Sequence, residues 1–344
     1  MSGRSGGSTG AEGTADAGRS AARPSGATTE PATEPADRDL PLDSHLHTRL
    51  SHDSDVPLDV YPALAVARGI AEIAITDHLD FDPRVPTSGV PPTERERLVR
   101  ELAERWADRV AVRYGAEITY ERRFEAEIHD HLRRHRYDFV IGSVHVGADS
   151  PYRPERVATF VAGRSLREIV APYYDEVLAA ARSGLFDTLG HLDFVKRYLV
   201  PHVPPSALAA APELVEPILR ALVESGTGLE INASGLRQAA GEPYPHPTII
   251  ARYRALGGER ITVGSDAHRA HHFAAGLRSA YALVASGGWR SVHFRRGPSP
   301  VAVTIPPAIL EAVAGSGAPA GSLASTATDL ATGAGGRRRA GSLA

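Results

Sequence analysis

The chain has 344 residues, a formal net charge of −3 and no cysteine, which excludes disulfides, Cys-ligated zinc, iron–sulfur clusters and thiol nucleophiles together. No run of about 18 apolar residues occurs, so no membrane-spanning helix is expected, and the near-neutral charge gives no electrostatic case for a nucleic-acid partner. The opening "MSGRSGGSTGAEGTADAGRS" lacks the apolar segment of a secretory signal, and with the missing cysteines this is compatible with a cytoplasmic location.

Residues 1–39 are Gly, Ser, Thr, Ala, Pro and Glu with almost no large apolar side chains. They cannot bury enough surface to offset the entropy of ordering, and disorder is expected there. Residues 315–344 read the same way. The folded part is therefore expected over residues 40–314 as one domain. All fifteen histidines lie inside it, between His45 and His293.

Short apolar runs alternate with helical patterns along this core. Strands are expected at Leu40–His47, "IAEIAITDH" (70–78), "VAVRYGAEI" (110–118), "YDFVIGSVHV" (137–146), "FDTLGHLDF" (186–194), "TGLEINAS" (227–234) and "ERITVGSDAH" (259–268). Helices are expected between them, as at 93–109, 165–184 and 246–258. Repeated β–α order implies parallel strands joined by crossovers, and seven such units suit a distorted (β/α)₇ TIM-like barrel.

Each expected strand ends in a polar residue. In order these are His45 and His47, Asp77 and His78, Glu117, His145, His191, Glu230 with Asn232, and Asp266 with His268. The C-terminal strand ends of a parallel barrel share one face, and that face carries the chemistry. Burying so many imidazoles and carboxylates at one mouth is costly without a counter-charge. Divalent metal ions supply that charge, and this donor mixture suits zinc, manganese or iron. The spacing of two between His45 and His47 places both side chains on one face of a strand. The other histidines offer no such pattern. His129, His131 and His135 lie in "EIHDHLRRHRYD", read as an exposed helix, and His202, His246, His271, His272 and His293 carry no motif.

Taken in order, "DSHLHT", "TDH", "GAEI", "GSVH", "GHLD", "EINASGLR" and "GSDAH" resemble the motifs of the polymerase and histidinol phosphatase (PHP) superfamily, most closely its monofunctional histidinol phosphatases. The resemblance covers residues 42–278 and implies three metals. The first would take His45, His47, Glu117 and Asp266. The second would share Glu117 and add His145 and His191. The third would take His52, His78 and His268.

The activity implied is hydrolysis of L-histidinol phosphate, a small phosphate monoester, with a metal-bridging hydroxide as nucleophile. A metal cluster neutralises phosphoryl charge and lowers the pKa of bound water to about 7. Glu117, Asp77 and Asp193 are the candidate catalytic or orienting carboxylates. Arg197 and Arg237 are favoured as phosphate contacts, since a guanidinium fork matches phosphate. Lys196, the only lysine in the chain, and Ser234 are further candidates.

Three other readings stand beside this one. A PHP phosphodiesterase or exonuclease would need a basic, aromatic-interleaved channel that is not evident. An amidohydrolase would often place a lysine at strand four, where His145 stands. A non-catalytic metal-binding module would be expected to have lost ligands. The segment 147–170 is long enough to serve as a lid or a substrate-selecting wall. Oligomeric state is open.

Overall fold

The computed structural model describes residues 37–200, 202–295 and 300–316. The expected disordered tails, 1–39 and 315–344, lie outside the described residues except at their inner edges. There the Asp37 carboxylate accepts hydrogen bonds from the backbone N–H of Gly276 (3.0 Å) and Arg278 (2.9 Å), so the last residues before 40 are tied to the domain.

Eight strands build the main sheet: β1 (Leu42–Leu46), β2 (Glu72–Ile75), β3 (His78–Leu79), β4 (Ala111–Thr119), β5 (Phe139–Ser143), β6 (Thr188–Leu189), β7 (Gly228–Asn232) and β8 (Ile261–Gly264). The order is β1-β2-β4-β5-β6-β7-β8, with the short β3 pairing β4 beyond the end of β2. All pairings are parallel. A parallel bridge between Leu46 and Ala267 brings the last strand back to the first, and the His47 N–H donates to the Ala267 carbonyl at 3.0 Å. The result is the expected nearly closed seven-strand parallel barrel with surrounding helices.

Strands β1, β2, β5, β7 and β8 are buried at every position. A parallel sheet is covered on both faces, so even the polar residues of β1 (Asp43, Ser44, His45) and β7 (Glu230, Asn232) are buried. The longest outer helix, Leu166–Ser183, starts at a capping box in which Ser165 and Glu168 satisfy each other's backbone N–H groups, and it stops at a left-handed Gly184.

Two features differ from the expectation. The fifth expected strand, 186–194, is reduced to two paired residues, because the chain leaves the ladder at once and His191 takes a positive φ of 22°. An antiparallel hairpin, β9 (Ser291–Arg295) with β10 (Pro300–Thr304), follows the barrel and was not expected. Its signal is present in "SVHFR", where Val292 and Phe294 alternate inward, and Phe294 packs on Phe139 with ring centroids 4.6 Å apart. Among the described residues no helix is long and apolar enough to cross a membrane.

Candidate metal centre

The barrel's C-terminal face gathers the expected donors around one carboxylate, Glu117. Register places His78 of β3 directly beside Glu117 of β4. His45 lies on β1 and His47 just past it, while His145 and Asp266 stand two residues beyond β5 and β8 and His191 two beyond β6. Asp266 bends back with a φ of 53°, a conformation that costs a non-glycine residue energy and is concentrated at functional sites.

Glu117 Oε2 lies 3.4 Å from His45 Nε2, 3.4 Å from His47 Nε2 and 3.0 Å from His78 Nδ1. Its other oxygen, Oε1, lies 3.5 Å from His145 Nε2 and 2.9 Å from His191 Nε2. Asp266 Oδ1 is 3.8, 3.5 and 3.3 Å from His45 Nε2, His47 Nε2 and His268 Nδ1. Donor atoms bound about 2.0–2.2 Å from a tetrahedral ion sit roughly 3.3–3.6 Å apart, so most of these spacings fit shared ions. Three of the nitrogens that face Glu117, His45 Nε2, His47 Nε2 and His78 Nδ1, are buried without a hydrogen bond, while on His191 the facing Nε2 lies within hydrogen-bond distance of Glu117 Oε1. Buried polar atoms are normally satisfied, and bare imidazole lone pairs are what a metal uses.

The surroundings fix which nitrogen is bare. Ser51 Oγ donates its one proton to Asp77 Oδ1 (2.9 Å) and accepts from the His78 N–H (2.9 Å). Its 3.1 Å contact with His47 Nδ1 is therefore an imidazole N–H donating, which leaves His47 Nε2 as the lone pair facing Glu117 and Asp266. His45 Nδ1 is held the same way at 2.6 Å by Glu230 Oε1, whose second oxygen accepts from the His191 N–H (2.9 Å) and Asn232 Nδ2 (3.1 Å). Glu230 thus orients two donor histidines, a role the sequence left unassigned although its strand-end position was visible.

The electrostatics match a site short of positive charge. Burial would raise the Glu117 carboxyl, but His45, His78 and His145 more than offset it and hold it well below the carboxylate range. Burial opposes charge on His45, yet Glu230, Glu117 and Asp266 drive its pKa well above normal. His47, buried and facing His268 and His78, is driven well below.

Among the described residues three donor groups each converge within 4.8 Å: His45, His47 and Glu117; His78, Glu117 and His145; and His47, Asp53, His78 and His268. The third differs from the expectation in two residues, Asp53 standing where His52 was anticipated and His47 joining the group, and the second holds His78 where His191 was expected. Asp53 Oδ2 lies 3.5 Å from His78 Nε2 and 3.1 Å from His268 Nε2. Ser54 Oγ shares its one proton between the carbonyls of His47 (2.9 Å) and His268 (3.1 Å), pinning the loop that carries Asp53. His52 instead faces Asp80, with Nδ1 3.9 Å from Oδ2.

The centre floors a cavity of about 990 Å³, open to solvent, whose wall includes Arg197 and Arg237. Arg237 Nη2 donates to the Asp266 carbonyl at 2.7 Å while its buried Nη1 has no partner. Arg197 stacks over Phe194 and Tyr198. The remaining candidates lie off this wall. Lys196 is fully buried and donates to Asp193 Oδ2 (3.0 Å), Glu242 Oε1 (2.8 Å) and the Pro243 carbonyl (2.7 Å), which uses all three of its protons. Asp193 is buried as its partner, and Ser234 is fully buried behind the site. Neither Lys196 nor Ser234 has a free path to a phosphate in the cavity. Asp77 accepts from the Thr48 backbone N–H (2.6 Å), the Thr48 hydroxyl (2.8 Å) and Ser51 Oγ (2.9 Å), and Ser51 in turn contacts His47. Of the segment 147–170, the part up to Arg153 lines the cavity, and Asp149 is tied across it to Arg84.

Comparison with known proteins agrees with this geometry. Residues 43–234 match the model of the PHP domain family. A probable histidinol-phosphatase of Deinococcus radiodurans is 33% identical over 261 residues, spanning 74% of this chain and 96% of that protein. The histidinol-phosphatase of Lactococcus lactis subsp. lactis is 30% identical over 255 residues, spanning 73% of this chain and 93% of that protein. The crystal structure of a histidinol phosphate phosphatase from Lactococcus lactis subsp. lactis, complexed with zinc, L-histidinol and phosphate, superposes with a TM-score of 0.66. It is 26% identical and covers 76% of this chain and 98% of that one. With its barrel, its strand-end donors and a family match across more than half its length, this chain belongs to the PHP domain family.

Proposed function

We propose that this chain is a metal-dependent phosphomonoesterase that hydrolyses L-histidinol phosphate to L-histidinol and phosphate. The observation that carries the reading is the Glu117 array, in which five imidazoles converge on one buried carboxylate at the floor of an open cavity. The substrate reading is supported by the relatives, a probable histidinol-phosphatase and a histidinol-phosphatase that align with this chain over 96% and 93% of their own length.

His45, His47, Glu117 and Asp266 would hold one ion, Glu117, His145 and His191 a second, and Asp53, His78 and His268 a third. Divalent ions at such a site neutralise phosphoryl charge and lower the pKa of bound water to about 7. Arg237 supplies the unpartnered Nη1 for a phosphoryl oxygen, and its Nη2 anchor on the Asp266 carbonyl sets its reach. Arg197, its guanidinium carbon 5.3 Å and 5.9 Å from the ring centroids of Phe194 and Tyr198, offers a second, more exposed guanidinium. Glu230 and the Asp77–Ser51 pair keep His45 and His47 in the orientation and tautomer that present Nε2.

The test is phosphate release by metal-replete protein from L-histidinol phosphate, a nucleoside monophosphate, a phosphodiester and a short oligonucleotide. A kcat/KM of about 10⁴–10⁸ M⁻¹s⁻¹ for L-histidinol phosphate, far above the others and lost in His145→Ala, is expected. Preference for the diester or the oligonucleotide would overturn the substrate.

A further inference from the structure

The loop after β6 carries a period of its own. His191, Phe194 and Arg197 stand three residues apart, and the backbone turns between them through i→i+3 bonds. The Phe194 N–H donates to the His191 carbonyl at 2.8 Å, and the Arg197 N–H to the Phe194 carbonyl at 3.0 Å. Side chains three apart eclipse one another in such turns, so an imidazole and a guanidinium are brought to one phenyl ring. The Phe194 and His191 centroids are 4.4 Å apart, and the Arg197 guanidinium carbon lies 5.3 Å from the Phe194 centroid. Both distances are those of ring contacts.

His191 depends on that contact more than other donors do. The ring nitrogen turned away from the donor array is within hydrogen-bond distance of Glu230 on His45 (2.6 Å), of Ser51 on His47 (3.1 Å) and of Thr119 on His145 (3.0 Å). On His191 that nitrogen is Nδ1, buried and without a hydrogen bond among the described residues. Glu230 fixes the His191 backbone N–H, but no hydrogen bond behind the ring sets its rotation. Phe194 is the group placed to do so. It is buried, and Tyr198 and Tyr244 lock it edge-on at 5.7 and 5.3 Å. It also meets His145 edge-on at 6.0 Å.

We infer that Phe194 is a positioning residue of this centre. Its ring turns His191 toward Glu117, where His45, His47 and His145 use a hydrogen bond, and the same ring carries Arg197. One apolar side chain thus sets both a metal donor and a phosphate arm. The inference deepens the phosphatase reading and rests on it only for the phosphate that Arg197 meets.

Phe194→Met keeps most of the volume and loses the ring plane. Phe139→Met makes the same exchange in the core at the start of β5, away from the donors. Metal-replete proteins are titrated with a chelator and the ions left per chain are counted. Binding of inorganic phosphate to fully loaded protein is then measured by calorimetry, with and without Arg197→Met. Phe194→Met should give up one ion about 10–100-fold more readily than wild type while the other ions stay. It should weaken phosphate binding by about threefold to thirtyfold, the size of one cation–π contact. Beside Arg197→Met it should change phosphate binding little, because the contact through which it acts is gone. Phe139→Met should match wild type in both.

Wild-type ion retention in Phe194→Met overturns the inference. So does equal ion loss in Phe139→Met, or a phosphate effect that persists undiminished beside Arg197→Met. If Phe194→Met does not fold while Phe139→Met does, the ring is a core element and the inference falls as well. Failure of the phosphatase reading looks different: L-histidinol phosphate would rank below the diester or the nucleotide in wild type, with the difference in ion retention intact.

Discussion

The single side chain on which most of the centre depends, apart from Glu117, is Glu230, because one carboxylate fixes His45, the His191 backbone and Asn232 together. Partners of this kind typically affect metal affinity about 10–100-fold when removed. Glu230→Gln is therefore expected to weaken metal binding by that factor in chelator competition, and unchanged affinity would remove Glu230 from the centre. Lys196 tests the opposite expectation. Its ammonium sits between Asp193 and Glu242, and Lys196→Met leaves two carboxylates beside an apolar chain. Breaking a buried pair costs about 3–5 kcal/mol, so the denaturant midpoint should drop sharply while KM for the phosphate ester holds. A raised KM with unchanged stability would return Lys196 to the substrate. Lys196 was a reasonable phosphate candidate from sequence, since charge and position beyond a strand are visible there. What the sequence hides is that Glu242 and Pro243, more than forty residues on, fold back to consume its protons.

At the level of elements, the strand ends were legible because each parallel strand reads as an apolar run closing on a polar residue, although His191 and Asp266 stand past the paired residues on turned backbone. The loop between β1 and the first helix was not. Adjacent His52 and Asp53 are equivalent in a linear reading, and only the folded loop, pinned by Ser54 on two carbonyls, shows that Asp53 reaches His78 and His268 while His52 lines the cavity beside Asp80. The hairpin β9–β10 was missed for another reason: a five-residue half-buried strand gives a weak pattern beside "RRGPSP". The junction of β1 and β8 shows how closely the elements must approach. A Cβ on Gly264 would stand 2.4 Å from His45 Cβ and 2.7 Å from Glu230 Oε1. Gly264→Ala must therefore push the two strands apart or turn His45 away from Glu117. Overpacking of this kind costs about 1–3 kcal/mol, and the metal centre should suffer more than the fold. The check is metal content alongside thermal unfolding, with a fully loaded variant counting against the packing argument.

Across the whole molecule, acid sensitivity separates the centre from the rest of the barrel, and His131 is where the two can be told apart. Its helix, Glu125–Arg134, was read as exposed, and its histidines as solvated. His131 is instead buried, with Nε2 2.8 Å from the Tyr137 hydroxyl and its ring stacked on His135 and edge-on to Phe81. Periodicity could not show this, because a helix turns one residue in three or four inward and a histidine there looks like its neighbours. Burial, then His135, Arg134 and Arg95, lower the His131 pKa from 6.5 to about 4. The unfolded chain therefore takes up this proton before the folded one does. Between those two values the unfolded state holds more protons, so stability falls as pH is lowered from about 6.5 to about 4, by at most about 3 kcal/mol from this group. Above 6.5 the contribution is fully present and flat. Metal-ligand protonation acts in the same acid range, so the informative quantity is the difference between wild type and His131→Gln, with urea unfolding followed from pH 4 to pH 8. That difference should be largest near neutrality and shrink toward pH 4, because the variant has no proton to gain at this position. A pH-independent difference would mean that His131 contributes packing alone and that the acid limb belongs entirely to the centre.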